Sequence, residues 1–118
     1  MRHRKVGKKF GRKKGDRNAF TKSLVHNLIM KEKITTTRAR AKETARLFGP
    51  LMTLAKKQTL AAYRLLLARL PKKSAEKLYK ILVPRFANRT SGCTRIIALP
   101  RRTHDASPMC IISLVEQK

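Results

Sequence analysis

Apolar residues recur at helical spacing over most of the chain, and past residue 92 they crowd into two short runs without a helical period. Phe20, Leu24 and Leu28, with Val25 and Ile29, make an i, i+4 stripe that ends near Lys31, and Asp16 stands where an N-cap belongs. The stripe predicts one amphipathic helix. Lys33-Ile34-Thr35-Thr36-Thr37 is short and β-branched, which favours an extended segment, and Thr37 is placed to cap a second helix starting near Arg38. That helix turns Ala41, Ala45, Phe48, Leu51, Met52, Leu54 and Ala55 to its apolar side and Arg38, Arg40, Lys42 and Arg46 to water. Gly49-Pro50 predicts a break or kink, because Pro50 has no N–H for the Arg46 carbonyl, although the apolar period runs on to Lys57.

A third helix is predicted from Leu60 to Leu70, with Leu60, Tyr63, Leu66, Leu67 and Leu70 facing inward and Pro71 stopping it. Ser74 is the expected N-cap of a fourth, which buries Leu78, Ile81, Leu82 and Phe86 and meets Pro84 in its final turn. The runs CTRIIAL at 93–99 and MCIISLV at 109–115 are strand-length, β-branched and bounded by Gly or Pro. A basic loop at 100–108 suits an antiparallel connection between them, with the Ile34 segment as a third strand at an edge. The expected fold class is α/β in the α+β sense: about four helices packed on a small three-stranded mixed sheet, preceded by a basic extended arm. Residues 1–15 form the arm and 16–118 a single globular domain.

Charge changes the picture. The 118 residues carry 30 Lys or Arg against 6 Asp or Glu, a formal charge of +24. A compact body with that excess repels itself unless a polyanion neutralises it, and a nucleic acid offers the most phosphate. The first 17 residues hold nine of the cations, one Asp and three Gly, and too little apolar surface to fold alone. The remaining cations spread over every predicted element. No apolar run is long enough to span a bilayer, and the basic N-terminus is not followed by the apolar stretch of a signal peptide, so a soluble, unexported chain is expected with no membrane partner.

Catalysis is not expected. The six acids, Asp16, Glu32, Glu43, Glu76, Asp105 and Glu116, are scattered singly, and His104-Asp105 beside Ser107 reads as plain loop. Cys93 and Cys110 have neither disulfide-scaffold nor zinc-site spacing and read as reduced, structural thiols. Gly7, Gly11 and Gly15 follow no strand and lack a nucleotide fingerprint, so they supply flexibility, and no cofactor, metal or small-molecule substrate is predicted. The aromatics Phe20, Phe48, Tyr63 and Phe86 fall on helix stripes and read as core, which disfavours a base-stacking platform. What remains is recognition of RNA backbone and shape. The candidate contacts are Arg2, His3, Arg4, Lys5, Lys8, Lys9, Arg12, Lys13, Lys14 and Arg17 in and beside the arm, then Arg38, Lys42, Arg85, Arg89, Arg95, Arg101 and Arg102 in the body. A nucleoid-associated or regulatory DNA-binding protein is the alternative reading of the same charge.

Several ordered stretches carry a family resemblance: Met1-Arg-His-Arg-Lys5, Lys31-Glu-Lys-Ile-Thr-Thr-Thr37, Arg40-Ala-Lys-Glu43, Leu51-Met-Thr-Leu-Ala-Lys56, Pro84-Arg-Phe-Ala-Asn-Arg89, Thr94-Arg-Ile96 and Pro108-Met109. In their order and spacing they resemble the bacterial large-subunit ribosomal protein family numbered seventeen. The resemblance implies helices packed on a small sheet, an arm reaching into ribosomal RNA, and protein neighbours on the solvent side near the tunnel exit. It also implies a cytoplasmic ribosome, or an organellar one. The chain departs from the family pattern at Ser91-Gly92-Cys93 and at His104-Asp105-Ala106-Ser107-Pro108, and in the arm at Lys13-Lys14-Gly15-Asp16-Arg17.

Overall fold

The computed structural model describes residue 3 and residues 7–115. Helix α1 (Lys14–Lys31) leads through a single residue into strand β1 (Lys33–Thr37), which passes directly into α2 (Arg38–Lys56). A shorter α3 (Leu60–Arg69) follows, then α4 (Lys72–Lys77), which continues without a break into a π-helical stretch, Leu78–Leu82, and a last turn, Val83–Arg85. Strands β2 (Thr94–Leu99) and β3 (Met109–Leu114) close the chain. The sheet order is β1-β3-β2 with both pairings antiparallel, so the expected mixed sheet is corrected to a fully antiparallel one. The basic loop joins β2 and β3 as a hairpin, and β1 returns to the free side of β3.

Helix α1 begins earlier than Asp16: Lys13 is its N-cap, and Asp16 lies in the first turn, where its charge favours the positive end of the helix. At the other end Glu32 takes the left-handed conformation usual for glycine, φ 63°, and its N–H closes the helix on the Leu28 carbonyl at 2.7 Å. A non-glycine residue there costs roughly 1–2 kcal/mol. The side chain offsets that cost. Its carboxylate accepts from Lys77 at 3.1 Å and Arg85 at 2.8 Å, while Lys77 also donates to the Met30 carbonyl at 2.8 Å. One residue thereby ties the end of α1 to the fourth helical run.

Two prolines behave differently from expectation. Pro50 sits inside α2, which continues to Lys56; Gly49 and Pro50 are both exposed, so water can reach the carbonyl left without a partner. Pro84 does not end the fourth run. Without its N–H the Lys80 carbonyl loses the usual partner, and the Val83 N–H instead reaches back five residues to Leu78, opening a π turn. Thr37 occupies the N-cap of α2 without a side-chain bond, whereas Thr59 caps α3 by accepting from the Ala62 N–H at 3.1 Å. Ser74 is not a cap. It lies within α4, and its hydroxyl donates to the Pro71 carbonyl at 2.9 Å.

The core lies between the helices and the inner face of the sheet. Leu28 and Ile29 of α1, Phe48 and Met52 of α2, Leu66 of α3, Leu78, Leu82 and Phe86 of the fourth run, and Ile112 of β3 are buried there. Each such side chain contributes about 1.5–3 kcal/mol relative to exposure. The inward face of α3 differs from the predicted stripe, since Ala62, Leu66 and Leu70 are buried while Leu60 and Leu67 are exposed and Tyr63 is half-buried against Tyr79. Ile81 is exposed too, because the π turn rotates it away from the face that Leu78 and Leu82 share. Cys93 and Cys110 are free and buried, and burial pushes the Cys110 thiol up, against a smaller opposing effect of Arg38. That thiol is a packing group rather than a nucleophile.

Candidate nucleic-acid interface

The described part of the arm is not a free tail. Lys9 to Arg12 make a tight turn, closed by the Arg12 N–H on the Lys9 carbonyl at 3.1 Å, with Phe10 and Gly11 at φ 52° and 62°. The turn sets Phe10 edge-on against Phe20 of α1, with ring centroids 5.5 Å apart. The Arg12 guanidinium lies over the Phe20 ring, 3.9 Å from its centroid, and Arg40 of α2 approaches the same ring at 5.1 Å. Phe20 is therefore half-buried beneath the arm and not part of the core, a correction to the sequence reading. Its position at the start of the α1 stripe, one turn before the core begins, is why the periodicity counted it as inside.

Between this clasp and α2 lies an open concavity of about 340 Å³ lined by Gly7, Lys8, Lys9, Arg17, Asn18, Thr21, Glu43, Arg46 and Leu47. Four cations and one carboxylate meet there. The carboxylate is already engaged: Glu43, buried on α2, accepts from Arg46 Nε at 3.2 Å and from a second nitrogen of the same guanidinium, which raises the Arg46 pKa further. Gly7 has φ +95°, a backbone conformation that side chains rarely adopt, so glycine suits the turn by which the chain passes this ion pair. The helical spacing sets Arg40 and Arg46 on the wet side of α2 without marking either as a contact. Their placement beside the arm depends on how the arm folds back, which no local spacing encodes.

Elsewhere the predicted cations divide. Arg38 and Lys42 are exposed one turn apart at the start of α2, where the Arg38 N–H also bonds the Pro108 carbonyl at 3.0 Å and so joins the basic loop to the helix. Several arginines are partly committed within the chain. Arg85 holds Glu32, Arg89 donates to the Gly92 carbonyl at 3.0 Å, and Arg101 donates to Ala106 at 3.0 Å. Arg102 grips Asp105 with two nitrogens, at 3.0 and 2.6 Å, and this pair together with the Ser107 N–H holds the Asp105 carboxyl well below the usual carboxylate range. The Arg101 and Arg102 bonds lie within the 100–108 loop, and each of these guanidinium groups has further N–H donors beyond those it uses here. Arg89 and Arg95 come together with Lys31 and Lys33 around a second cleft at the end of the sheet. Lys13 and Lys14 are exposed at the start of α1, and His3 is exposed; Arg2, Arg4 and Lys5 lie outside the described residues.

Among the described residues no group of three or more His, Cys, Asp or Glu is placed to hold a metal ion, and no helix is long and apolar enough to cross a membrane. Glu32, Glu43 and Asp105 each neutralise a cation of their own chain, which uses them as structural staples. His26 keeps a buried Nδ1 without a partner on α1, with no acid or nucleophile bonded to it.

Comparison with known proteins places these features in context. Residues 20–115 match the family model described as ribosomal protein L17. The chain is 42% identical over 119 aligned positions to the large ribosomal subunit protein bL17 of Pelobacter propionicus, covering 100% of this chain and 94% of that protein. It is 40% identical to the protein of the same name from Syntrophotalea carbinolica, covering 100% of this chain and 77% of that one.

Proposed function

Because the chain belongs to the ribosomal protein L17 family, whose members are structural, non-enzymatic constituents of the large ribosomal subunit in the cytoplasm, we propose that it acts by neutralising ribosomal RNA phosphates and holding neighbouring RNA segments together. The concavity at the arm root carries this reading. Lys8, Lys9, Arg17 and Arg46 converge there, and the one carboxylate among them is spent on Arg46. Such a site takes a phosphate group by charge and hydrogen bonding and asks nothing of base identity. Arg2, His3, Arg4 and Lys5 of the arm sequence add further cations for phosphate, as do Arg12, Lys13 and Lys14 beside the concavity. Arg38, Lys42, Arg85, Arg101 and Arg102 offer further phosphate contacts on the body, and protein neighbours on the tunnel-exit side of the subunit complete the setting.

The clasp sharpens how the arm works. A tail ordered only on binding spends affinity on its own ordering. Phe10 and Arg12 are already seated on Phe20, so these residues add nothing to that cost.

A salt titration of the full chain on large-subunit ribosomal RNA tests the reading. With roughly 8–10 phosphates neutralised, the slope of log affinity against log salt is about −6 to −9, and Lys8→Ala and Lys9→Ala each reduce its magnitude by about 1. A flat response sinks the proposal.

A further inference from the structure

Among the described residues, no strand pairs with the outer side of β2. The Val115 N–H donates to the Cys93 carbonyl at 2.9 Å, and antiparallel alternation then assigns the bonds with β3 to Arg95, Ile97 and Leu99. The N–H and C=O groups of Thr94, Ile96 and Ala98 therefore point away from the sheet. The opposite edge is guarded: β1 runs directly between two helices and carries Lys33 and three threonines. On β2, by contrast, Ile96 and Ile97 are 37% and 50% exposed, one on each face of the sheet.

We propose that β2 is a docking edge for an extended polypeptide segment of a neighbouring protein, which adds as a fourth strand and presents a carboxylate to the cations at the strand's start. The backbone specifies a polypeptide. A row of alternating N–H and C=O groups repeating about every 7 Å is matched by another strand, and nucleic acid has no such row. Ile96 and Ile97 would flank the added strand on either face, as paired apolar residues do in a sheet interior. The charge specifies the acid. An open cleft of about 700 Å³ at this end of the sheet is lined by Lys31, Lys33, Arg89, Arg95, Ile97 and Val115 among others, and its acid, Glu32, is already held by Lys77 and Arg85. Arg89 and Arg95, read from the sequence as phosphate contacts, are here the partners of a carboxylate. A second copy of the chain is a poor occupant, since it brings another +24 of charge to a basic cleft.

The inference rests on the subunit reading for the source of the partner and is independent of the RNA contacts at the arm. Large subunits are assembled with the full chain carrying p-benzoylphenylalanine in place of Ile97, washed with salt, irradiated and digested. The expected cross-link runs to one ribosomal protein, in a segment that contains Asp or Glu. Ile96→Pro and Ala98→Pro, each removing an outward N–H while leaving the bonds to β3 intact, lower its yield at least tenfold in subunits that still incorporate the chain. Cross-links confined to RNA or to a second copy of the chain overturn the proposal, as does a yield that neither incorporated proline variant reduces. Loss of the salt dependence above, with this cross-link present, removes the phosphate reading and leaves the docking edge standing.

Discussion

Strands β2 and β3 are written in nearly the same residues, TRIIAL and MCIISL, yet one is almost wholly exposed and the other alternates between buried and half-buried positions. The difference is placement. β3 is paired on both sides and turns Cys110, Ile112 and Leu114 onto the helices, whereas β2 has one partner strand and Ile96, opposite Ile112 on the same face, is still 37% exposed. Two adjacent isoleucines therefore include a fully buried member in β3, Ile112, and none in β2. What separates them is the number of neighbours each strand acquires, a property of topology that composition does not carry.

The sharpest break in that equivalence is truncation. Ile112→Ala empties a fully buried site between sheet and helices and is expected to cost about 3 kcal/mol, lowering the melting temperature by roughly 10 °C or more. Ile97→Ala, across the hydrogen-bonded pair from Ile111, costs under about 1 kcal/mol. Thermal melts of the two variants decide it, and equal losses would mean that β2 is covered in the free chain. Hydrogen exchange gives the same contrast by residue: the β3 amides exchange only through global opening, while those of Thr94, Ile96 and Ala98, aimed at water, exchange at least a thousandfold faster.

The same reasoning explains which parts of the molecule were legible in the sequence. Helix positions and both late strands were, since period and β-branching report local preference, and the Ile34 segment was correctly placed at a sheet edge. Inward faces were less so. The α3 stripe of Leu60, Tyr63 and Leu67 is apolar at helical spacing, but α3 is short and lies at the margin of the core, so only Ala62, Leu66 and Leu70 find cover. Pro84 changed the register of its helix through the π turn, a response that no residue count anticipates. At the candidate interface, Lys8, Lys9 and Arg17 were named from the arm alone, while Arg46 joined them only through the fold. Phe20 changed role because Phe10 and Arg12, outside any periodic stripe, came back to cover it.

A smaller effect tests how the two sides of β3 are held. The backbone of Glu32 accepts from the Leu114 N–H at 2.9 Å, at the β1 end of the ladder, and its carboxylate is fixed by Lys77 and Arg85; on the β2 side the corresponding bond falls to Cys93, beside the Arg89–Gly92 contact. Partial burial raises the Glu32 pKa, but the bonds from Lys77 and Arg85 outweigh it and the net shift is downward from 4.5. A depressed carboxylate contributes stability that is fully present above its unfolded pKa and is lost as pH falls through its folded one. Glu32→Gln is therefore expected to cost about 1 kcal/mol at neutral pH, and the gap between variant and parent narrows below about pH 4.5. Urea titrations at pH 7 and pH 3 measure it. A gap that stays constant with pH would assign the residue's role to backbone conformation alone.

The smallest expected effect carries the most information about the edge. Ile97→Thr keeps the β-branched shape that suits a strand and exchanges half-exposed apolar surface for a hydroxyl that water can solvate. In the free chain it should change stability by no more than about 0.5 kcal/mol. Nothing among the described residues then explains two exposed isoleucines on a six-residue edge strand, because a threonine would serve the isolated fold as well and would be less prone to pair with stray strands. If the variant is as stable as the parent alone but enters large subunits less completely when the two compete, the cost of that exposed surface is recovered in the assembly. Equal incorporation would return Ile97 to the ordinary apolar surface that any small protein leaves in water.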